Sequence, residues 1–443
     1  MRIAFTTLGC KINQYETEQL RQDLLARGDA IVPFESEADV YIINTCTVTA
    51  KSDYQCRQAI RSAVRRRQDA RVIVTGCYAS VNPDQIKAIP GVAQVISNEA
   101  KSSIPQLLHS LPAHAGPLIS SYPDASLERT PDADRLHPVK LTRARSQRQS
   151  ERTRAFLKIQ DGCNNHCTYC IVPAARGKSK SVHPSVIVRE FDRLVSDGCP
   201  EIVLTGIHIG TYGADLSSPD SLTALMDVLL QRRGSARLRL SSIEVNEITD
   251  QMITSLGHGL CRHLHIPLQS GDDSILNAMN RQYDSSFFHE LITRIALQVS
   301  DAALGTDIIV GFPGEGEREF QRTLDLVKAS PLSHFHVFTY SVRPGTPAAA
   351  MKNQVPETVK RERSELLRAV AVKQNLEFRK RFVGRELNVV IEGKKNPENG
   401  LLFGLSDNYI RVSVEGAEKE HIGRELRILL KEVSEKNNKA VIL

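Results

Sequence analysis

Three cysteines stand at C-x3-C-x2-C spacing, Cys163, Cys167 and Cys170, directly after the apolar run Phe156 to Ile159. Thiolates are soft donors that select iron–sulfur clusters or zinc. Three neighbouring cysteines can hold three irons of a four-iron cluster and leave one iron without a protein ligand. A closed structural zinc site takes four ligands, normally as two spaced pairs. His166 lies directly beside Cys167, where the chain can hardly bend both side chains onto one ion, and no second C-x2-C pair occurs. The expectation is a cluster; zinc, or three merely buried cysteines, are the alternatives.

A second trio is spread through the first hundred residues. Short apolar runs, Ile3 to Thr7, Val40 to Asn44 and Val72 to Thr75, alternate with helical patterns and predict parallel strands. Each run ends in a cysteine turn: Gly9-Cys10, Thr45-Cys46 and Gly76-Cys77. Ligands of open parallel sheets sit outside the carboxyl ends of the strands, so Cys10, Cys46 and Cys77 should reach one edge. Gly9 and Gly76 would let the backbone turn tightly there. A helix after Cys46 would favour its thiolate. A second three-cysteine cluster is expected, against the alternative of unrelated buried cysteines. Cys56, Cys199 and Cys261 lack such a setting and are read as core or incidental.

The elements that position the first trio recur through residues 151–378. Six apolar runs alternate with helical segments: Phe156 to Ile159, Ile202 to Thr205, Leu238 to Ser241, Leu264 to Ile266, Leu304 to Val310 and His334 to Tyr340. Right-handed strand–helix units of this kind predict a partial (β/α)6 barrel, with its chemistry at the carboxyl ends of the strands. Those ends carry Gly206, Glu244 and Gln269, the candidate cofactor contacts. The period then shifts to two. Runs at Leu387–Ile391, Tyr409–Val414 and Leu426–Leu430 predict a small closed β-barrel over 379–443. Its charge is mixed, 13 basic against 11 acidic side chains over 377–443, so phosphate neutralisation alone would give modest affinity. Residues 113–150, punctuated by proline and without apolar period, read as a linker that ends in a basic run from Arg143 to Arg154. Arg57, Arg61 and Arg65 fall on one helical face, a solvated stripe or a phosphate contact. The fold class is α/β throughout, with a parallel-sheet domain over 1–112.

The chain has 443 residues and a net charge of +6, which permits nucleic-acid binding without requiring it. No apolar run approaches the roughly 20 residues of a membrane helix. The polar start argues against a signal peptide, and nine cysteines do not form a secreted disulfide framework. A reduced, cytoplasmic setting without membrane partners is expected.

The C-x3-C-x2-C spacing resembles the signature of the radical S-adenosylmethionine superfamily. With the second trio and the small barrel, the whole chain is similar to its methylthiotransferases, and the small barrel resembles a TRAM domain. Four motifs resemble the threonylcarbamoyladenosine branch: Thr7-Leu8-Gly9-Cys10-Lys11-Ile12-Asn13-Gln14, Asn44-Thr45-Cys46-Thr47-Val48-Thr49, Leu204-Thr205-Gly206-Ile207-His208-Ile209-Gly210 and Leu264-His265-Ile266-Pro267-Leu268-Gln269-Ser270-Gly271. His166 and Ala174-Ala175 depart from the aromatic residue and tyrosine of the family pattern without removing a ligand.

The resemblance implies two 4Fe-4S clusters and S-adenosyl-L-methionine as cofactors. The cluster on Cys163, Cys167 and Cys170 would cleave S-adenosylmethionine to a 5′-deoxyadenosyl radical, making these the catalytic cysteines. The cluster on Cys10, Cys46 and Cys77 would carry the sulfur, with both clusters facing one cavity. Gly206 would admit the methionine amino group, while Glu244 and Gln269 would bond the ribose or amino group. The substrate implied is a threonylcarbamoyl-adenosine in the tRNA anticodon loop, with a methylthio group placed on carbon two. Arg281 is a candidate for holding its carboxylate. An electron donor and a sulfur source are implied partners. Rival readings are the same chemistry on isopentenyladenosine or on a ribosomal protein aspartate, a radical enzyme without the sulfur step, and a non-catalytic zinc-containing RNA-binding protein.

Overall fold

A computed structural model describes residues 1–110, 153–217 and 220–443, so the linker at 113–150, with most of its basic run, lies outside the described residues. The chain divides into two compact units, Met1–Gln149 with Ala174–Arg176, and Ser150–Pro173 with Gly177–Leu443. Among the described residues no helix is long and apolar enough to cross a membrane.

The first unit is built on a parallel sheet of β1 (Arg2–Thr7), β2 (Ala30–Val32), β3 (Val40–Thr45), β4 (Arg71–Gly76) and β5 (Val92–Ile96), in the order β2-β1-β3-β4-β5. β3 lies at the centre and all six of its residues are buried, as expected of a strand covered on both faces. Ile60 and Ala63 of helix Ala50–Arg66 pack with Tyr41, Ile43 and Val74 on one face. Leu20 and Leu24 of helix Lys11–Ala26 pack with Ile3, Val40 and Ile42 on the other. The apolar parity of β3 therefore serves two cores. Thr49 caps helix Ala50–Arg66 by accepting from the Ser52 backbone N–H at 3.1 Å. On its arginine face, Arg57 donates to the Tyr78 hydroxyl at 2.9 Å, while Arg61 and Arg65 are exposed.

The second unit begins with β6 (Ala155–Lys158) and a short antiparallel ribbon of β7 (Gln160–Asp161) and β8 (Lys180–Ser181). β9 (Glu201–Thr205), β10 (Arg237–Leu240), β11 (His263–His265), β12 (Ala303–Val310) and β13 (His334–Thr339) follow, separated by helices. They form two parallel three-stranded sheets, β10-β9-β6 and β11-β12-β13, and a parallel bridge from Leu238 to Leu260 links the two. One continuous apolar core runs through Leu157, Leu204, Leu238, Leu264, Ile308 and Val337, one residue from each strand. This is the partial six-stranded barrel that the alternating pattern predicts.

Five further strands, β14 (Glu386–Lys395), β15 (Leu402–Ser406), β16 (Arg411–Glu415), β17 (Glu425–Val433) and β18 (Asn438–Ile442), close a small barrel in the order β14-β15-β16-β18-β17. It is bolted to the half-barrel by buried charge. Glu201 is fully buried and accepts from Arg237 at 2.7 Å and from Arg239 at 2.8 and 2.9 Å. Burial opposes ionisation of Glu201, but the two guanidiniums outweigh it and hold the carboxyl well below the usual carboxylate range. The same arginines reach across to the small barrel: Arg237 to the Leu405 carbonyl at 2.7 Å and Glu425 at 2.8 Å, Arg239 to the Ser406 carbonyl at 3.1 Å. Arg262 clasps Asp407 at 2.7 and 3.0 Å, and the Tyr409 ring stacks on His263 at 4.2 Å. Arg154, the described end of the basic run, pairs with Glu392 at 3.2 Å.

Candidate metal centres

In the first unit the carboxyl ends of β1, β3 and β4 carry Cys10, Cys46 and Cys77, each an electrostatic neighbour of the other two. Cys46 and Cys77 are buried and Cys10 is exposed, so the trio opens to solvent. Two glycines make the approach possible. Gly9 has φ +103°, and a Cβ there would lie 2.8 Å from the Cys46 Cβ; Gly76 has φ +101°, and a Cβ would meet the Thr45 backbone at 2.4 Å. Two asparagines fix the turns. Asn13 donates to the carbonyls of Leu8 at 2.7 Å and Thr45 at 3.0 Å, and Asn44 donates to the Asn13 carbonyl at 2.9 Å.

Behind these turns lies a buried charge network. Lys101 meets Glu16 at 2.5 Å and Asn44 at 3.2 Å, and Arg176, which belongs to this unit, pairs with Glu16 at 3.0 Å. Cys56, read from sequence as core or incidental, is a core residue buried against the Cys46 backbone: its sulfur lies 3.3 Å from the Cys46 carbonyl and 3.4 Å from the Cys46 nitrogen. It braces the turn that presents Cys46.

In the second unit the loop after β7 carries Cys163, Cys167 and Cys170, with Cys170 an electrostatic neighbour of the other two. Thr168 ties the loop down, its N–H donating to the Met279 carbonyl at 3.1 Å and its hydroxyl to the Ala278 carbonyl at 2.8 Å. Arg281, just beyond that turn, donates to the Cys167 sulfur at 3.3 Å and forms an ion pair with Glu244. His208 sits between Cys163, at 3.6 Å from its sulfur, and Glu247, at 2.5 Å. Burial works against charge on His208, but its bonds to Cys163 and Glu247 prevail and push the imidazole up to about 10. His208 thus stands with one ring nitrogen toward the sulfur and the other toward a carboxylate.

Among the sequence-derived cofactor contacts, Glu244 lines a cavity with Cys167, His208, Glu247 and Arg281, while Gly206 and Gln269 do not line it. Gln269 holds a left-handed backbone at φ 68°, a strained conformation that clusters at functional sites. Its N–H donates to the Asp307 carbonyl at 2.8 Å, pinning it to β12. Gly206 leaves room for Gln160, since a Cβ would lie 2.9 Å from the Gln160 Oε1. The suggested role of Arg281 in holding a substrate carboxylate meets an obstacle: its charge is already matched by Glu244.

Gln160 was not singled out from the sequence, yet it joins the cysteine loop to the β9 turn. It is fully buried, accepts from the Ile207 and His208 N–H groups at 3.0 and 2.8 Å, and donates to the Gly162 carbonyl at 2.7 Å. The only signal was a polar residue closing an apolar strand just before Gly162. Gln160→Leu, which keeps the bulk but strips the partners, leaves one buried and one part-buried N–H group unpaired and should cost about 2–4 kcal/mol. Chemical denaturation checks this, and iron retention should fall because Gly162 and His208 flank Cys163.

Both sets suit an iron–sulfur cluster by their donor chemistry. Burial, with neighbouring Cys77 and Cys10, pushes the Cys46 thiol up to about 11; burial, with Cys167 and Cys163, pushes Cys170 up to about 12. A bound cation reverses that preference for Cys46 and Cys170. Each set supplies three cysteines, and the nearby fourth, Cys56, is engaged with backbone.

Comparison with known proteins accords with this layout. The family described as "Uncharacterized protein family UPF0004" matches residues 2–97, the Radical SAM superfamily residues 157–327 and the TRAM domain residues 380–443. The threonylcarbamoyladenosine tRNA methylthiotransferase MtaB of Bacillus subtilis is 39% identical over 96% of this chain and 93% of its own length. That of Aquifex aeolicus is 36% identical over 97% of this chain and 100% of its own. A solved radical S-adenosylmethionine methyltransferase, TsrM from Kitasatospora setae with cobalamin and a [4Fe-4S] cluster bound, shares the fold at a TM-score of 0.54 and 14% identity, over 79% of this chain and 77% of that one. Across its parallel-sheet unit, its half-barrel and its small closed barrel, the chain belongs to the MtaB family of radical S-adenosylmethionine methylthiotransferases.

Proposed function

We propose that this protein transfers a methylthio group to carbon two of threonylcarbamoyladenosine beside the anticodon of tRNA. The observation that carries the reading is a second cysteine trio, Cys10, Cys46 and Cys77, gathered at three strand ends in a chain that also holds the C-x3-C-x2-C loop. In this reading Cys10, Cys46 and Cys77 hold one 4Fe-4S cluster, and Cys163, Cys167 and Cys170 hold the other. When bound, the two clusters supply the electron that cleaves S-adenosylmethionine and a site for the transferred sulfur, chemistry beyond any side-chain acid or base.

The residues around the loop have assigned parts. Arg281 and His208 donate to Cys167 and Cys163, which stabilises thiolate sulfur and tunes the centre. Glu244 faces the cavity beside Cys167, where an amino or ribose group of S-adenosylmethionine would sit. Gly206 and Gln269 are the further contacts proposed for that cofactor. The small barrel, of TRAM type, binds the tRNA, and the anticodon loop offers bases that splay out for readout. Such a substrate places the reaction in the cytoplasm, with an electron donor and a sulfur source as partners.

The test is the nucleoside profile of tRNA from cells lacking the gene, read by mass spectrometry. Methylthiolated threonylcarbamoyladenosine should vanish and its unmodified precursor accumulate. Loss of methylthiolated isopentenyladenosine instead, or an unchanged profile, would reject the assignment.

A further inference from the structure

The last three strands of the half-barrel carry a cluster to which the proposed methylthio chemistry assigns no part. Strand register creates it. Asp307 on β12 is the direct partner of His336 on β13, and His265 on β11 is the direct partner of Gly305, two residues before Asp307. Residues two apart share a face, so His265, Asp307 and His336 point the same way from three adjacent strands. Gly305 clears the space between them: a Cβ there would lie 2.8 Å from the His265 Nδ1 and 2.3 Å from the His334 Nε2.

We infer that His265, Asp307 and His336 form a binding site for a divalent transition-metal cation of the zinc class. The His265 Nε2 lies 2.9 Å and the His336 Nδ1 3.1 Å from the same oxygen, Asp307 Oδ1, and the three ligand atoms all lie within 4.8 Å of one another. Around a tetrahedral zinc with bonds of about 2.1 Å, ligand atoms stand about 3.4 Å apart, so each histidine nitrogen needs to move off the Asp307 oxygen by only a few tenths of an ångström while the two nitrogens settle to the same spacing. Two imidazoles and one carboxylate suit zinc, iron(II) or cobalt(II) rather than magnesium or calcium, which prefer all-oxygen shells.

Asp307 offers the one carboxylate oxygen of the set. The His336 side chain is 63% exposed, which leaves an entry path and an open position for water. No cysteine takes part, so the site is separate from both thiol sets. Its ligands come one from each of the last three barrel strands, and a cation there would clasp β13 to β12 and β11.

The test uses the full chain with its iron–sulfur clusters reconstituted anaerobically, dialysed against buffered zinc and assayed for zinc and iron together. The wild-type protein should hold one zinc per chain. His336→Ala, at an exposed position, and Asp307→Asn, of equal size, should each weaken zinc binding at least about tenfold with iron content unchanged. X-ray absorption at the zinc edge should show nitrogen and oxygen neighbours without sulfur at about 2.3 Å. No bound zinc in the wild type, equal zinc in the variants, or a sulfur shell would each overturn the inference and leave a hydrogen-bonded triad.

Discussion

Cys46→Ala should abolish methylthiolated product while leaving reductive cleavage of S-adenosylmethionine intact. Cys46 ends the central strand of the first sheet, and both Gly9 and Cys56 are arranged around it. In the proposed function three thiols hold the cluster, and the two that remain should lose its iron from this set alone. Transfer should fall by more than about a hundredfold, since even outer partners of a metal site cost ten- to a hundredfold. The companion Cys170→Ala should lose both product and cleavage, because in the proposed function its set performs the first step. Quantifying 5′-deoxyadenosine alongside modified tRNA separates the two. A Cys46→Ala enzyme that still forms the methylthio product would remove the sulfur-carrying role from this trio.

Arg281→Gln should destabilise the second unit by about 3–5 kcal/mol, the cost of leaving a buried carboxylate without its partner. Arg281 and Glu244 form a largely buried ion pair, with side-chain exposures of 4% and 19%, and the guanidinium also steadies Cys167. Burial already raises the Glu244 carboxyl above its ordinary value, and Arg281 is the main influence lowering it. Without Arg281 the carboxyl rises further and takes up a proton on folding. A carboxyl raised in the folded state makes stability greatest at low pH and lets it fall as pH climbs from the unfolded value through the folded one. The variant should therefore weaken between mildly acidic and neutral pH more than the parent does. Glu244→Gln in the same chain should flatten that pH dependence and restore much of the stability. Denaturant unfolding under anaerobic, reducing conditions over a pH series reads both effects.

Much of this architecture was legible because its strands are buried on both faces and read as unbroken apolar runs. β3 and β9 are buried at every residue and stand out accordingly. β2 has three residues and none is fully buried, so it carries no such signature. β15 is interrupted by Gly404, whose missing side chain lets Val389 approach: a Cβ would lie 2.8 Å from the Val389 Cγ2. β18 alternates over only five residues after the turn at 434–437. The cysteines were legible because thiol chemistry has a narrow repertoire and their places at strand ends repeat. Their supports were not, since a pair such as Arg281 and Glu244 is 37 residues apart and only folding brings it together. Gln160 looks like an ordinary strand residue until its partners on two loops are in view.

The arginines on β10 have a further implication for how RNA is met. Glu201, Arg237 and Arg239 lock the terminal barrel to the amino ends of the half-barrel strands, and Arg262 with Tyr409 adds a second fastening beside them. A module held in this way is no tethered arm that captures a nucleic acid and swings it inward. In the proposed function it would act as a gauge of fixed length, measuring from its own surface to the cysteine loop. A tRNA whose anticodon stem was a few base pairs longer or shorter could dock on that surface and still miss the reacting centre.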